Sequence, residues 1–340
     1  MSDRDQEENN TYMLDDESRR KFFGTTAAAT LAGAGLVMGL SACKKDDKTA
    51  VGKVSEAGGD VSRAVAHGEF DVPPGKLDSY YSFSSSGHNG EVRIYGVPSG
   101  RILKRVPIFN IDPMVGWGIT NESKAIMGTN QDGSLKYMTG DTHHVHGSYT
   151  DGTYDSKYLW TNDKLNNRLA RIRMDRMECD AITEIPNVQG FHGLFPDKRD
   201  PVDASINHTS RVFCGAEFAT PQPNDGRDAA DPTKWFSLFT CVDAESMQVR
   251  WQVKVDGNMD LVATSYDGKL AATNQYNTEN GSTLADMMSA ERDACLFLNI
   301  ERIEAAIKAS KAFTIGTSKV PVVDGTKDAN YINAVSELLK

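Results

Sequence analysis

Asp-Gly pairs recur along the chain, at residues 132–133, 151–152, 225–226, 256–257 and 267–268, and divide much of it into segments of strand length. Asp tolerates and Gly permits the positive φ of a tight hairpin, so each pair predicts a turn. The apolar runs around them, at residues 91–97, 101–109, 157–161, 168–174, 211–218, 235–242, 248–255 and 269–273, are short and rich in β-branched and aromatic residues. Runs of that length and composition predict strands, and few stretches before residue 280 have helical spacing. The predicted class is therefore all-β.

A weak internal repeat narrows the architecture. Ser123-Lys124 leads to Gly128-Thr129-Asn130, Ser156-Lys157 to Trp160-Thr161-Asn162, and Gly268-Lys269 to Ala272-Thr273-Asn274. A turn, a lysine and a short strand ending in Thr-Asn is the pattern of β-propeller blades, with a β-sandwich as the alternative. At roughly 40–50 residues per blade, residues 79–340 would hold about five or six blades. The tail reads differently, with helical spacing at 284–294, 300–311 and 330–340. A propeller closes on itself to remove its edges, and no closing strand follows, so an incomplete propeller from a longer gene product is expected.

The N-terminus reads as an export signal. Ser18-Arg19-Arg20-Lys21-Phe22-Phe23 precedes a small, apolar stretch ending at Leu40, the layout of a twin-arginine signal. Leu40-Ser41-Ala42-Cys43 resembles a lipoprotein processing box, which leaves lipidation at Cys43 and ordinary cleavage both open. The expected organisation is a signal over residues 1–43, a polar linker over 44–78 and a partial propeller over 79–340. The net charge of −10 argues against a nucleic-acid partner, which needs clustered Lys and Arg. No cysteine of Cys43, Cys179, Cys214, Cys241 and Cys295 sits in a CxxC pair, so zinc is not indicated; Cys214 and Cys241 are expected as buried thiols.

The densest group of metal-ligand types is Asp141-Thr142-His143-His144-Val145-His146, which holds three of the chain's seven histidines. Neutral imidazole suits copper and zinc. On a regular strand His144 and His146 would share one face, while His143 and His144 would point oppositely. For the adjacent pair to bind one centre the backbone must bend, as a glycine-flanked loop allows. A polar surface turn is the plainer reading of the same residues.

Read with its neighbours, the cluster resembles the nitrous-oxide reductases. The resemblance is carried by Ser86-Gly-His-Asn-Gly-Glu-Val-Arg93, Gly116-Trp-Gly-Ile-Thr-Asn-Glu-Ser-Lys124, the histidine segment, Asn162-Asp163-Lys164, Phe191-His192-Gly193-Leu194, Ala216-Glu217-Phe218 and Pro221-Gln-Pro-Asn-Asp-Gly226. It implies a seven-bladed β-propeller with a tetranuclear copper-sulfide cluster on seven histidines. His143, His144 and His192 would be three of these, with Asp141 and His146 beside them as supporting groups. It also implies a cupredoxin domain with a dinuclear copper centre, which has no counterpart here. The expected partners are N2O, a small periplasmic electron donor (a cytochrome c or cupredoxin) and a second copy in a homodimer.

The same resemblance implies a calcium site. Glu279 and Asp293 would give carboxylate oxygens, and Tyr276 and Met287 backbone carbonyls, a hard donor set suited to Ca2+. The expected function is N2O reduction to N2 and water in the periplasm, with this piece inactive by itself. Two other classes stand beside it: an exported propeller that binds without catalysis, and a copper-handling lipoprotein anchored through Cys43. His67, His88 and His208 carry no assigned role.

Overall fold

The computed structural model describes residues 71–73, 75–276, 284–285 and 294–328. The chain divides into two units, Met1–Ala66 and His67–Lys340, and every described residue lies in the second. The export signal, Cys43 and most of the expected linker fall outside the described residues, as do Glu279, Met287, Asp293 and the expected helix at 330–340.

Among the described residues, four sheets follow one another along the chain. The first holds Tyr80–Ser85 (β1), Glu91–Val97 (β2) and Ile102–Pro107 (β3). After a short helix, Asn121–Met127 (α1), the second holds Thr142–Thr150 (β4), Thr153–Asp163 (β5), Arg168–Arg173 (β6) and Glu178–Glu184 (β7). The third is built from Gln189–Pro196 (β8), Arg211–Phe218 (β9), Thr220–Pro221 (β10), Trp235–Asp243 (β11) and Val249–Val255 (β12). The fourth holds Val262–Thr264 (β13), Leu270–Gln275 (β14) and Ala294–Asn299 (β15). A helix, Ile300–Lys308 (α2), and a further strand, Val322–Asp324 (β16), follow; β16 joins β12 in parallel at the far edge of the third sheet. Every other ladder is antiparallel, and neighbouring sheets meet at their first strands: β1 packs on β4, β4 on β8 and β8 on β13.

The predicted strands agree closely with β2, β3, β5, β6, β9, β11, β12 and β14. Of these, β9 and β11 read as near-continuous apolar runs because both faces are buried along most of their length. Leu159 lies in a core shared with Val92 and Ile94 of the first sheet, while its neighbour Trp160 lies in a core shared with Phe191 and Leu194 of the third. Phe213 and Cys214 alternate in the same way, Phe213 facing Leu296 and Leu298 of the fourth sheet. Burying each large side chain of this kind contributes about 1.5–3 kcal/mol. Cys214 and Cys241 are the buried free thiols expected.

Two local expectations change, and a third lies mostly outside the described residues. The histidine segment is not a loop but the start of β4. The helix expected at 300–311 ends at Lys308, where Ser310 turns into the left-handed region at φ 56°. The helix expected at 284–294 has only residues 284, 285 and 294 among those described, and Ala294 opens β15.

Two irregularities in the ladders prepare the site. On β4, Thr142 pairs with Asp163 and Val145 with Thr161, so His143 and His144 together oppose Asn162. On β8, Phe191 pairs with Ala216 and Leu194 with Cys214, so His192 and Gly193 together oppose Gly215. Each is a β-bulge, which bends its strand and re-aims a side chain that regular pleating would send to the other face.

Candidate metal centre

The two bulges lie on the adjacent strands β4 and β8, and they bring the three expected histidines together. His143 Nδ1 and His192 Nε2 are 2.8 Å apart. The His192 ring meets both neighbours edge-on, with centroids 4.6 Å from His143 and 4.6 Å from His144. His146 is set back: its ring is parallel to that of His144 at 6.2 Å and packs on Phe195 at 4.6 Å. The conflict between adjacency and a common target is thus resolved by the bulge.

Carboxylates hold the outer nitrogens. His143 Nε2 lies 2.9 Å from Asp141 Oδ2, and His192 Nδ1 is hydrogen-bonded to Asp260 Oδ1. A carboxylate accepts, so each ring donates its outer N–H and keeps a lone pair on its inner nitrogen. Those two lone pairs then face one another, an arrangement that repels unless a cation lies between them. Carboxylates that orient ligand imidazoles from their far side are the usual second tier of a metal site. The inner spacing also suits two nitrogens bound side by side to one ion, with bonds of about 2.0 Å.

Burial favours the neutral form of His144, His146 and His192. The His144 imidazole is pushed down to about 4, chiefly by desolvation and then by the neighbouring His192 and His146 rings. Burial alone takes His146 to about 4. Desolvation also lowers His192, opposed by the negative charges of Asp260 and Glu217. Neutral imidazole is the ligating form, and an all-nitrogen inner set without thiolate or thioether accommodates copper. The residues present therefore fit a copper centre.

His144, His192 and Asp260 also present nitrogen and oxygen atoms within 4.8 Å of one another. Because Asp260 already contacts His192 Nδ1, its place is behind the ring rather than beside it as a fellow ligand. Asp260 was missed in the sequence, where it is one carboxylate near the turn at 256–257, and only the packing of β8 against β13 sets it at the centre. His88 stands at the rim, its Nδ1 3.6 Å from Asp141 Oδ1, with a largely exposed side chain. His208 lies apart, bridged to Thr150. Of the calcium set, Tyr276 is described: its backbone exchanges hydrogen bonds of 3.1 and 2.7 Å with Asn258.

Lys164 and Glu217, each in a segment singled out in the sequence, form an ion pair between the turn after β5 and β9. The Lys164 backbone N–H also donates to the Asp141 carbonyl at 2.9 Å, which ties that turn to the segment carrying the histidines.

Comparison with known proteins gives the same direction. Residues 185–261 match the family model described as nitrous oxide reductase propeller repeat 2, a segment that includes His192 and Asp260. A nitrous-oxide reductase of Ralstonia nicotianae is 62% identical over 315 residues, 92% of this chain and 47% of the relative. Another, of Cupriavidus necator, is 60% identical over 317 residues, 92% of this chain and 48% of the relative. Among solved structures, a hydrazine synthase of Kuenenia stuttgartiensis gives a TM-score of 0.40 at 9% identity, over 66% of this chain and 44% of that one. That likeness is too slight to assign a fold. The chain spans about half the length of the curated relatives it matches. Over 92% of its own length, it is a homologue of the nitrous-oxide reductases.

Proposed function

We propose that the chain contributes His143, His144 and His192 to a multicopper sulfide cluster at which N2O is reduced to N2 and water. The observation that carries this is the pair of inner imidazole nitrogens, His143 Nδ1 and His192 Nε2, turned toward each other at 2.8 Å with a carboxylate behind each ring. N2O is an inert and poor ligand; the bound cluster supplies two electrons together and polarises it. This chain's residues hold and orient the imidazoles. Asp141 fixes the His143 ring and Asp260 the His192 ring, which sets which nitrogen of each is free. Phe195, packed on His146, lines the apolar side of the centre and limits water there.

The remaining features of this reading follow the resemblance. The four sheets, each meeting the next at its first strand, are blades of a seven-bladed propeller whose axis runs beside β4 and β8. Calcium is held by Tyr276, Glu279, Met287 and Asp293. The protein works in the periplasm after twin-arginine export, as a homodimer, and takes electrons from a cytochrome c or cupredoxin. The test is N2O-dependent oxidation of reduced methyl viologen by the enzyme that carries this chain. His192→Ala should abolish it and lower the copper content while the protein still accumulates. Unchanged turnover in that variant would end the reading.

A further inference from the structure

We propose that Asn162 is a positioning residue that locks the two bulged strands together, so that the three imidazoles form one preset site before metal arrives. The proposal rests on the copper reading above for its consequence, though not for its geometry. A bulge leaves a backbone group without its ladder partner. On β4 the residues affected are His143 and His144, which together oppose Asn162. The Asn162 side chain makes up the deficit: the His144 N–H donates to its Oδ1 at 2.9 Å. Its Nδ2 then donates to the carbonyl of Phe191 at 2.7 Å. Phe191 immediately precedes His192 and lies on β8, whose outer edge has no strand beside it in the third sheet. The Phe191 N–H donates to Asn167 Oδ1 at 3.2 Å, so both polar groups of that residue are met by side chains of the second sheet. One amide thus binds the backbone of one histidine and the backbone next to another.

The residue type follows from this geometry. The position needs an acceptor for an N–H and a donor for a C=O on the same short side chain, and asparagine provides both. Aspartate would turn a second acceptor toward the Phe191 carbonyl, and leucine would leave both groups unsatisfied. Asn162 is fully buried, so no water replaces it. Its two neighbours extend the clamp: Asp163 Oδ1 accepts from the Asp141 N–H at 2.8 Å, and the Lys164 N–H donates to the Asp141 carbonyl. The segment 162–164 therefore reaches all three histidines, directly or through Asp141 and Phe191.

The test uses the 340-residue chain with copper(II) alone as the probe, in competition with a chelator. Asn162→Leu should lower copper affinity at least about tenfold, the scale of lost outer-tier contacts. Ile172→Val is the control, because Ile172 is buried in the same sheet but faces the first sheet; it should lower Tm and leave affinity unchanged. In a His192→Ala background, Asn162→Leu should cost much less affinity than in the wild type. Unchanged affinity in Asn162→Leu, or losses that simply add, would overturn the proposal. A metal-free measurement separates it from the copper reading: in the wild-type chain, the His144 amide should exchange with deuterium as slowly as the ladder amides of β5. Exchange at loop rates would overturn the clamp whatever copper does. Slow exchange in a chain whose copper affinity ignores His192→Ala would instead count against the copper reading and leave the clamp standing.

Discussion

His143 Nδ1 and His192 Nε2 face each other across 2.8 Å, and Asp141 and Asp260 hold the far nitrogens of the two rings. The rings come from different sheets, so their approach is set by tertiary packing, and the carboxylates decide which nitrogens are left free. Removing Asp260 releases the His192 ring to rotate and to donate from either nitrogen. Asp260→Leu should therefore weaken copper binding by about 10–100-fold. Its side chain is 36% exposed, so the fold itself should change little. A chelator competition that found wild-type affinity in this variant would remove Asp260 from the site.

The two depressed imidazoles make the fold sensitive to acid. His144 and His146 stand at about 4 in the folded chain against 6.5 for the free side chain, both through burial. Between those values the unfolded chain binds the protons and the folded chain does not. Stability is therefore full above pH 6.5 and falls as the pH drops toward 4. For His146 the loss should be on the order of 2 kcal/mol. Urea midpoints at pH 7.5 and pH 5 should differ less in His146→Gln than in the wild type. An equal difference in both would show that His146 does not titrate as its burial dictates.

Part of the fold was legible because its central strands, β9 and β11, are buried on both sides. Runs such as 211–218 and 235–242 carry a near-continuous apolar signal, and the structure places β9 and β11 there. Two of the strands that were missed, β4 and β8, carry chemistry instead. β4 begins Thr-His-His-Val-His, and β8 contains Phe-His-Gly-Leu, so the histidines and glycines dilute the pattern where function requires them. A bulge also cannot be read from one strand, since it is a mismatch between two. The resemblance supplied His143, His144 and His192, while Asp260 lies 68 residues from His192 and becomes its partner only through the packing of neighbouring sheets.

Arg168 and Asp163 form an ion pair whose side chains are both fully buried. The guanidinium lies 4.8 Å from the centre of the Phe109 ring and 4.7 Å from that of Tyr137. Asp163 also accepts from the Asp141 N–H, so this pair underlies the carboxylate that orients His143. Arg168→Leu strands a buried charge and should destabilise the chain by about 3–5 kcal/mol. Arg168→Lys should recover little, because an ammonium neither stacks between rings nor reproduces the fork. Asp163→Asn combined with Arg168→Leu should be less damaging than Arg168→Leu alone, since no unpaired charge remains. Denaturation in urea measures all three, and a stable Arg168→Lys would contradict the geometric argument.

Gly193 and Gly215 meet across the β8 bulge, and they separate a backbone constraint from ordinary crowding. A Cβ on Gly193 would lie 2.3 Å from the Asp260 carbonyl oxygen and 2.9 Å from the Leu261 carbonyl carbon. Those are backbone atoms and cannot swing away, so either the bulge flattens or the segment at Asp260 moves off. Either change takes the Asp260 carboxylate from His192. A Cβ on Gly215 would instead meet Met259 Cβ at 3.2 Å, a contact that a shift of a few tenths of an ångström relieves. Gly193→Ala should therefore cost about 1–3 kcal/mol of stability and at least about tenfold in copper affinity. Gly215→Ala should change affinity by less than about threefold, a shift of under 1 kcal/mol. Equal affinities in the two variants would mean that the close approach of β8 to the Asp260 backbone does not set the His192 ring.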